Sequence, residues 1–519
     1  MFAEVSSFTP LGIDGRIVSV EIDIRRGLPG IDIVGLPDSA VREAKERVRV
    51  AIRNSGFRFP ADRILVNLAP ADIKKEGASF DLPIALGILA ASSQIRFQFK
   101  GKILIIGELN LAGKVKPVRG VLSAVVTGLK EGFRSFFVPH HNLREAKVLG
   151  KGTVYAITDL RAAAAILTNP RKAEPGIPAA PHSPPALPRL YDPAELGDFC
   201  DIKGQWVLKR ALEIAAAGRH HLLMFGPPGS GKTMSARRLS TIIPALSRQE
   251  SVEVTRIHSV AGLLPPQSDL ISYTPLRMPH HSASNEGILG GGKLLKPGEV
   301  SLAHRGILFL DEAPEFKKNI LQGLREPIEQ EKVIIARAGF SVWFPSSFQL
   351  VLACNPCACG NLGRQDKVCL CGMREVSRYW KKIGGALLDR IDIRIPVKPV
   401  TGMQIAGREK ETSKQIKSRV ERVIALQRER FAGCGFSRNS QIPPGLIDRF
   451  CSLNGSSAAL LSKAVDKLGL SSRAYHSIVK IARTIADFEN KDTIGKEHVL
   501  EAVQHRRYGD DNFFWESGW

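Results

Sequence analysis

The first 168 residues alternate between short apolar runs and segments whose apolar residues recur at helical spacing. Three runs rich in branched apolar residues predict β-strands: RIVSVEIDI, RILVNLAP and KILIIGEL. Two segments predict helices, namely SAVREAKERVRVAIRNSG, which ends at Gly56, and DLPIALGILAASS. The pattern is that of an α+β domain, which we place at residues 1–168.

A proline-rich stretch separates this domain from the rest of the chain. Residues 169–193 contain eight prolines, and such a segment behaves as a semi-rigid linker. Beyond it, apolar strands alternate with helical segments in HHLLMFGPPGSGKTMSARRL, GILFLDEAPEF and FQLVLACN. That alternation predicts a parallel α/β sheet at residues 194–400. Helical periodicity dominates residues 401–507, where we expect a helical lid, followed by a tail at 508–519.

Charge and composition narrow the class of function. The chain of 519 residues carries a formal net charge of +22, and the excess of lysine and arginine is spread along it. A distributed excess favours a protein that surrounds or tracks nucleic acid, although a basic soluble protein of another kind has the same composition. No apolar run is long enough to cross a membrane, and the first residues lack a secretory signal. We therefore expect a cytoplasmic protein without a membrane partner.

The segment GPPGSGKT matches the phosphate-binding pattern G-x-x-x-x-G-K-[ST] without a mismatch. It follows an apolar strand and opens a helix, which is the context that the pattern requires. Lys232 would reach the β- and γ-phosphates of ATP, and Thr233 would bind Mg²⁺. The predicted nucleotide-binding residues of this segment are Gly226, Pro227, Pro228, Gly229, Ser230, Gly231, Lys232 and Thr233.

Two acids, Asp311 and Glu312, end the buried strand ILFL. Ligands of open α/β sheets bind at the carboxyl ends of the strands. Asp311 would hold Mg²⁺ through water, and Glu312 would polarise the attacking water. Two solvated acids are the plainer interpretation of such a pair, but its position downstream of a phosphate-binding loop favours the catalytic one.

Three residues further along the chain are candidates for the same site. Asn355 ends the next buried strand, so we expect it near the γ-phosphate, where it would orient the water. Arg390, in LLDRID, is placed to act as an arginine finger on the nucleotide of a neighbouring subunit, with a salt bridge at a helix end as the alternative. Arg473 lies in the helical segment LSSRAYHSIVKIARTIADF, where a lone arginine indicates nothing by itself.

Together these motifs resemble one family. GPPGSGKT, GILFLDE, ACNPCACG, LLDRIDIRI and LSSRAYHSIVKIARTIADF occur in the order of the magnesium-chelatase-like AAA+ proteins of the ComM/YifB type, and KEGASFDLPIALGIL extends the match. The resemblance implies an ATPase that assembles as a hexameric ring. It implies a helicase that drives branch migration while single-stranded DNA is integrated during natural transformation. Single-stranded and branched DNA, and recombination proteins such as a recombinase, would be its partners.

The resemblance also assigns roles and leaves alternatives. Asn355 would be sensor 1, Arg390 the arginine finger and Arg473 sensor 2. A protein-remodelling ATPase and a magnesium-chelatase motor subunit remain alternative functions. The N-terminal domain resembles the proteolytic domain of Lon-type proteases, with Ser79 at the serine position and Leu122 where the lysine belongs. Because a serine without a nearby base is a weak nucleophile, we expect no peptidase activity.

Two segments that flank the acidic strand are candidates for DNA contact. The glycine-rich NEGILGGGKLLKPGEV carries Lys293 and Lys296, and VIIARAGFSVWF is predicted to form a hairpin near Arg337. The resemblance places such insertions at the pore of the ring, where lysines would pair with phosphates and Arg337, Phe340 or Trp343 would stack on bases. The alternative is a loop and a hairpin packed on the core, and for Trp343 we expect burial.

Five of the eight cysteines fall between Cys354 and Cys371. Cys354 ends an apolar strand, so we expect it in the core. The others form two Cys-x-Cys pairs in an insertion at 356–372, and this spacing lets four thiolates converge on zinc; they are Cys357, Cys359, Cys369 and Cys371. Reduced cysteines without a metal are the alternative, and a reducing compartment disfavours a disulfide. The adjacent His280 and His281 are poorly placed to bind one ion together.

Overall fold

The computed structural model describes residues 1–75, 77–99, 101–170, 196–265, 269–292, 295–337, 340–364, 367–406, 411–506 and 508. From residue 171 onward the predicted linker lies outside the described residues. Of the predicted tail, only Tyr508 is described.

A seven-stranded mixed sheet forms the centre of the N-terminal domain. In spatial order its strands are β3 (Gly30–Val34), β4 (Arg63–Ala69), β2 (Arg16–Arg25), β1 (Phe2–Thr9), β5 (Ile103–Ile105), β8 (Ser135–Pro139) and β9 (Thr153–Ile157). A separate ribbon pairs β6 (Glu108–Leu109) with β7 (Val115–Lys116). The helices of this domain are Ser39–Asn54, Asp81–Ala91, Val121–Lys130, Leu143–Lys147 and Leu160–Thr168. The predicted α+β domain is confirmed, with alternate residues of β2 buried as the period of a strand requires.

The third predicted strand, KILIIGEL, is wrong as a single element. Strand β5 ends at Ile105, and β6 begins only at Glu108. Between them Gly107 leaves the sheet, because its N–H donates to Ser79 O and its carbonyl accepts from Leu82 N, each at 3.0 Å. The first predicted helix also ends earlier than Gly56, at Asn54.

A five-stranded parallel sheet forms the core of the second part. Its order is β11 (Leu276–Arg277), β14 (Ile307–Leu310), β17 (Gln349–Cys354), β10 (Leu222–Phe225) and β18 (Ile393–Pro396), and every neighbouring pair is parallel. Every residue of β10, β14 and β17 is buried, as in sheets covered by helices on both faces. Strand β17 therefore separates the strand before GPPGSGKT from the strand before Asp311.

Helices and two hairpins surround this parallel sheet. The helices are Trp206–Gly218, Lys232–Ile242, Arg248–Ala261, Asn285–Leu289, Glu299–Leu302, Lys318–Gly323, Arg325–Gln330, Met373–Lys381 and Gly385–Leu388. One hairpin pairs β12 (Gly290–Gly291) with β13 (Lys296–Pro297), and the other pairs β15 (Lys332–Arg337) with β16 (Phe340–Pro345). The second is the predicted hairpin, and its two turn residues lie outside the described ones.

The β15–β16 hairpin turns one of its faces toward the N-terminal domain. Val342 and Phe344 are buried in a cluster that includes Ile13 of that domain. Trp343, between them, points away and is 47% exposed, and its register partner Ile334 is 48% exposed. The expectation that Trp343 is buried is therefore wrong. Side chains alternate along a strand, and the neighbours of Trp343 occupy the inner face.

Helices make up the C-terminal part of the chain. They are Gly402–Ala406, Ser413–Arg430, Ile447–Phe450, Gly455–Leu468, Ser472–Phe488 and Lys496–Arg506. Val420 and Ile481 of this part share one buried cluster with Ile214 and Met224 of the parallel-sheet part, so the helices dock on the sheet through a continuous core. Within the described ranges, no helix has both the length and the apolar character needed to span a bilayer.

Candidate functional site

The segment GPPGSGKT forms the turn between β10 and the helix Lys232–Ile242. Gly229 and Gly231 have φ values of +79° and +91°, which glycine adopts without the clash of a Cβ atom. A Cβ atom on Gly226 would lie 2.1 Å from Val397 O, so no side chain fits there. The shape of the loop therefore depends on its three glycines.

Lys232 lies folded against the phosphate-binding loop. Its Nζ donates to Gly226 O at 2.7 Å, to Pro227 O at 3.0 Å and to Asn355 Oδ1 at 3.3 Å. Burial lowers the pKa of this ammonium. Within the described part of the chain, the buried Ser230 Oγ has no hydrogen-bond partner. A buried ammonium and an unpartnered hydroxyl in one loop suit an anionic phosphate group.

Thr233 and Asp311 meet at the carboxyl edge of the parallel sheet. Thr233 Oγ1 donates to Asp311 Oδ2 at 2.6 Å, and Asp311 Oδ1 accepts the Glu312 N–H at 2.9 Å. A hydroxyl and a carboxylate are the oxygen ligands that Mg²⁺ takes beside phosphates. The donor set therefore fits a Mg²⁺–ATP complex, with Thr233 and Asp311 as the residues that would hold the ion.

Glu312 projects from the edge of the sheet beside this pair. Its φ of +50° is uncommon for a residue with a side chain, and its side chain is 58% exposed. Glu312 Oε2 lies 3.7 Å from His281 Nδ1. The carboxylate is therefore open to solvent and lies near a histidine from a distant loop.

Asn355 follows the last residue of β17 and lies between the loop and the acids. The Gly226 N–H donates to Cys354 O at 3.2 Å, which ties β17 to the start of the loop. The contact of Asn355 Oδ1 with Lys232 places this amide at the phosphate-binding end of the site, where the sequence predicted it. Cys354 itself is buried, and burial raises the pKa of its thiol to about 12, as suits a core residue.

Arg390 and Arg473 lie together, but in a different place from Lys232. Arg390 Nη2 and Arg473 Nη2 both donate to Glu329 Oε1, each at 2.5 Å. The Arg390 side chain is only 9% exposed and also donates to Ala386 O. One carboxylate of the helix Arg325–Gln330 thus holds both guanidinium groups.

These three residues line a cavity of about 1200 Å³. His221, Phe348 and Asp392 also line it, and they immediately precede β10, β17 and β18, respectively. The cavity therefore lies at the amino edge of the sheet, and the phosphate-binding loop lies at the carboxyl edge. A strand of four residues spans about 13 Å. Within one chain, neither arginine lies beside Lys232.

Four cysteine sulfur atoms converge after Asn355. Cys357 Sγ lies 3.4 Å from Cys359 Sγ and 3.6 Å from Cys369 Sγ, and the Sγ atoms of Cys359 and Cys369 are 3.6 Å apart. With Cys371 Sγ, all four atoms lie within 4.8 Å of one another. The predicted convergence of the two Cys-x-Cys pairs is confirmed, and the group is one that can hold a metal ion.

The candidates for DNA contact are described only in part. Lys296 is exposed on β13. Lys293 lies outside the described residues, and Arg337 is described only through its backbone, which pairs with Phe340. These three positions remain predictions.

The residues at the Lon-type positions do not form a serine–lysine pair. Ser79 lies in the single turn Ala78–Phe80. Leu122 is fully buried, and its N–H donates to Glu145 Oε1 at 2.8 Å. A buried leucine supplies no base at this position, and the lack of peptidase activity stays a prediction.

Glu329 and His281 are residues of these sites that sequence reasoning missed. Glu329 belongs to REPIEQ, whose charges indicate a solvated face, and it lies 144 residues from Arg473 in sequence. From the sequence, His281 is a candidate only as a metal ligand beside His280, and it is poorly placed for that. The local sequence does not indicate that Glu329 holds Arg390 and Arg473, or that His281 lies near Glu312. These neighbours come from elements that are distant in the sequence.

Comparisons with known proteins agree with this geometry. Models of the magnesium chelatase subunit ChlI match residues 20–142 and 198–405, and the model of its C-terminal part matches residues 410–506. A Lon protease of Geobacter metallireducens is 24% identical over 159 residues, which cover 29% of this chain and 19% of that protein.

Several relatives match almost from end to end, and two of them show the degree of similarity. Competence protein ComM of Haemophilus influenzae is 40% identical over 511 residues, 97% of each chain. The YifB protein of Escherichia coli is 39% identical over 504 residues, 96% of this chain and 95% of that one. With its AAA+ sheet, its C-terminal helices and its Lon-like N-terminal domain, this chain belongs to the magnesium-chelatase-like AAA+ ATPases of the ComM/YifB family.

Proposed function

We propose that this chain is the subunit of a ring-shaped, hexameric DNA translocase that uses ATP to drive branch migration while single-stranded DNA is integrated. The observation that carries the proposal is the match over 97% of the chain to a competence protein. That match includes every part of a candidate ATP site. Natural transformation, or recombination more broadly, is the proposed setting, with recombination proteins such as a recombinase as partners.

The hydrolysis chemistry is assigned to residues at the carboxyl edge of the sheet. Mg²⁺, held by Thr233 and Asp311, would offset negative charge on the phosphates. Glu312 accepts a proton from the attacking water, and Asn355 positions that water while Lys232 binds the β- and γ-phosphates. A zinc ion on the four cysteines completes the proposed cofactors.

A ring is supported by the position of the two arginines. Arg390 and Arg473 line a cavity at the amino edge of the sheet, together with Arg219 and Lys480. A triphosphate presented there by a neighbouring subunit would meet a concentration of positive charge. Each active site would then combine Lys232 of one subunit with Arg390 and Arg473 of the next, so hydrolysis requires assembly.

DNA contact is assigned to the two hairpins. Lys296 is exposed on β13, and Lys293 lies three residues before it in the sequence. Arg337 is the last residue of β15, in the second hairpin. Trp343 and Ile334 form an exposed apolar pair on the outer face of β15–β16. Lysines that pair with phosphates and an aromatic ring that stacks on bases are the usual elements of single-strand binding, and the net charge of +22 fits the same partner.

ATPase stimulation by forked or single-stranded DNA is the test of this proposal. We expect DNA to raise the ATPase rate of the wild-type chain several-fold. The double variant Lys293→Ala, Lys296→Ala should lower the stimulated rate and keep the basal rate, because it removes phosphate contacts and no catalytic group.

A matched control is Lys463→Ala, Lys467→Ala, which removes the same charge from the helix Gly455–Leu468 and should leave stimulation intact. Wild-type protein that hydrolyses ATP and ignores DNA would refute the proposal. Equal loss of basal and stimulated rates in the first variant would refute the assigned DNA contacts.

A magnesium-chelatase motor is the second candidate, because the matching family models carry that description. Its subunit would be stimulated by a porphyrin-binding partner and not by DNA. The same ATPase assay therefore separates the two functions, and a protein-remodelling ATPase would respond to neither ligand.

A further inference from the structure

The four-cysteine group has the dimensions of a zinc site. Four sulfur atoms about 2.3 Å from one zinc ion form a tetrahedron with edges of about 3.8 Å. The three Sγ–Sγ distances among Cys357, Cys359 and Cys369 are 3.4, 3.6 and 3.6 Å. A disulfide bond would need two sulfur atoms about 2.05 Å apart, and all four cysteines are free. The spacing matches four ligands around one ion.

Backbone N–H groups donate to all four sulfur atoms. Leu362 N lies 3.4 Å from Cys357 Sγ, and the N–H of Asn361 donates to Cys359 Sγ. The N–H groups of Cys371 and Cys359 donate to the Sγ atoms of Cys369 and Cys371, respectively. Such donors stabilise a thiolate relative to a thiol, and they oppose the burial that raises the pKa of Cys357 and Cys369. The thiolate is the form of cysteine that binds metal.

The same loop packs directly on the phosphate-binding loop. A Cβ atom on Gly360 would lie 3.0 Å from both Cδ and Cγ of Pro228, and 3.8 Å from Cγ of Asn355. Gly360 has a φ of +74°, so the turn that follows Cys359 needs glycine for its backbone as well as for this contact. The turn is one wall of the nucleotide site.

The helix Met373–Lys381, which begins just after Cys371, contacts Asn355 and Pro356 just past the end of β17. Trp380 Nε1 donates to Pro356 O at 3.0 Å, and the Asn355 N–H donates to the Tyr379 hydroxyl. Asn355 is therefore held from two sides, by the cysteine turn and by the helix that follows the cysteines. An ion that joins Cys357 and Cys359 to Cys369 and Cys371 would lock these two supports together.

We propose that the four cysteines bind one zinc ion, and that this ion holds the turn 357–360 against Pro228 and Asn355 and so sets the affinity of the site for nucleotide. The role goes beyond the proposed DNA function and does not depend on it. It requires only that the loop GPPGSGKT binds ATP.

Metal content and nucleotide affinity test the two halves of this proposal separately. We expect one zinc per chain in purified protein, and a cobalt-substituted form with the absorption of tetrahedral thiolate coordination. Cys369→Ser with Cys371→Ser should lose the metal and bind a fluorescent ATP analogue about tenfold more weakly. Cys434→Ser, outside the group, is the matched control and should keep both properties.

Two further samples keep the result interpretable if the double variant does not fold. Wild-type protein stripped with a chelator should lose affinity and regain it when zinc is returned. Gly360→Ala should retain zinc and still bind the analogue more weakly, because its methyl group meets Pro228. Metal-free wild-type protein with full affinity would overturn the zinc site. Full nucleotide affinity after removal of zinc, or in Gly360→Ala, would overturn the proposal that the turn 357–360 supports the nucleotide site. None of these measurements uses DNA, so their outcome is independent of the translocase proposal.

Discussion

Single side chains at the carboxyl edge of the parallel sheet divide the tasks of the candidate site. Lys232 contacts loop carbonyls and Asn355, so it links the phosphate-binding loop to the sensor residue. Thr233 and Asp311 share a hydrogen bond of 2.6 Å and would share the metal. Among the described residues, Glu312 has no hydrogen bond to Lys232 or Thr233, and its side chain is 58% exposed. In the proposed mechanism, binding and hydrolysis therefore depend on different residues.

Replacement of Glu312 by Gln should separate these two tasks. The amide cannot accept a proton from water, so the ATPase rate should fall by about two orders of magnitude or more. Binding of ATP should stay within a factor of a few, because the phosphate contacts remain. Steady-state ATPase and fluorescent-nucleotide titration measure the two effects, with Glu315→Gln, on the next turn of the chain, as control. A Glu312→Gln variant that hydrolyses ATP at the wild-type rate would exclude Glu312 as the base.

One short helix connects two functional elements. Arg325–Gln330 carries Glu329, which holds Arg390 and Arg473, and the chain enters the β15–β16 hairpin at Lys332. Movement of the arginines toward a neighbour's phosphates would require Glu329 to release them. Movement of this helix would in turn shift the hairpin that carries Trp343. If the proposed DNA contact holds, the helix is placed to couple it to the nucleotide state of the neighbouring subunit.

Glu329→Gln should weaken this coupling. The neutral amide would hold Arg390 and Arg473 less tightly than the carboxylate does. Both arginines could then bind the phosphates of a neighbouring subunit without any movement of the hairpin. We expect basal ATPase to rise several-fold and the ratio of DNA-stimulated to basal rate to fall. Glu326→Gln removes the same charge from the same helix and has an exposed side chain, so it serves as control. If both variants behave alike, Glu329 has no special part in the coupling.

At the scale of the whole molecule, the two edges of one sheet would carry complementary halves of an active site in the proposed ring. Nucleotide-binding residues lie at the carboxyl edge and the arginine pair at the amino edge. A closed ring of identical subunits satisfies both edges at once, since head-to-tail contacts close when the rotation permits. The N-terminal domain is tied to this body by the ion pair of Arg256 with Asp14 at 2.8 Å, so it would move with its own subunit.

Mixing of two inactive variants tests this arrangement. Lys232→Ala destroys the nucleotide half of the site, and Arg390→Ala destroys the arginine half, so each protein alone should be inactive. In a mixed ring, some subunit interfaces place the intact Lys232 of an Arg390→Ala subunit beside the intact Arg390 of a Lys232→Ala subunit. The ATPase activity of the mixture should therefore partly return. A mixture of Lys232→Ala with Glu312→Gln, whose defects lie on the same edge, should stay inactive. No recovery in the first mixture would place Arg390 and Lys232 in the same site of one chain.

The linear sequence by itself determined the parts whose chemistry is local. GPPGSGKT needs only its own glycines, its lysine and the flanking strand and helix, so its position and conformation follow from eight consecutive residues. The acids after ILFL, the helical C-terminal part and the α+β character of the first domain likewise follow from periodicity over short windows. The two Cys-x-Cys pairs also carry their convergence within one short segment.

Only the tertiary structure decided how distant segments meet. The strand order, with β17 between β10 and β14, brings Asn355 to Lys232 across 123 residues, and no local pattern encodes that order. Arg390 and Arg473 meet on Glu329 at the edge away from Lys232. Arg390 lies just before β18, and Arg473 lies on a C-terminal helix that packs against the sheet. Trp343 is exposed because its two neighbours fill a contact with the N-terminal domain. Local physics selects helices, strands and loops, whereas the shared burial of remote apolar faces decides which of their side chains become neighbours.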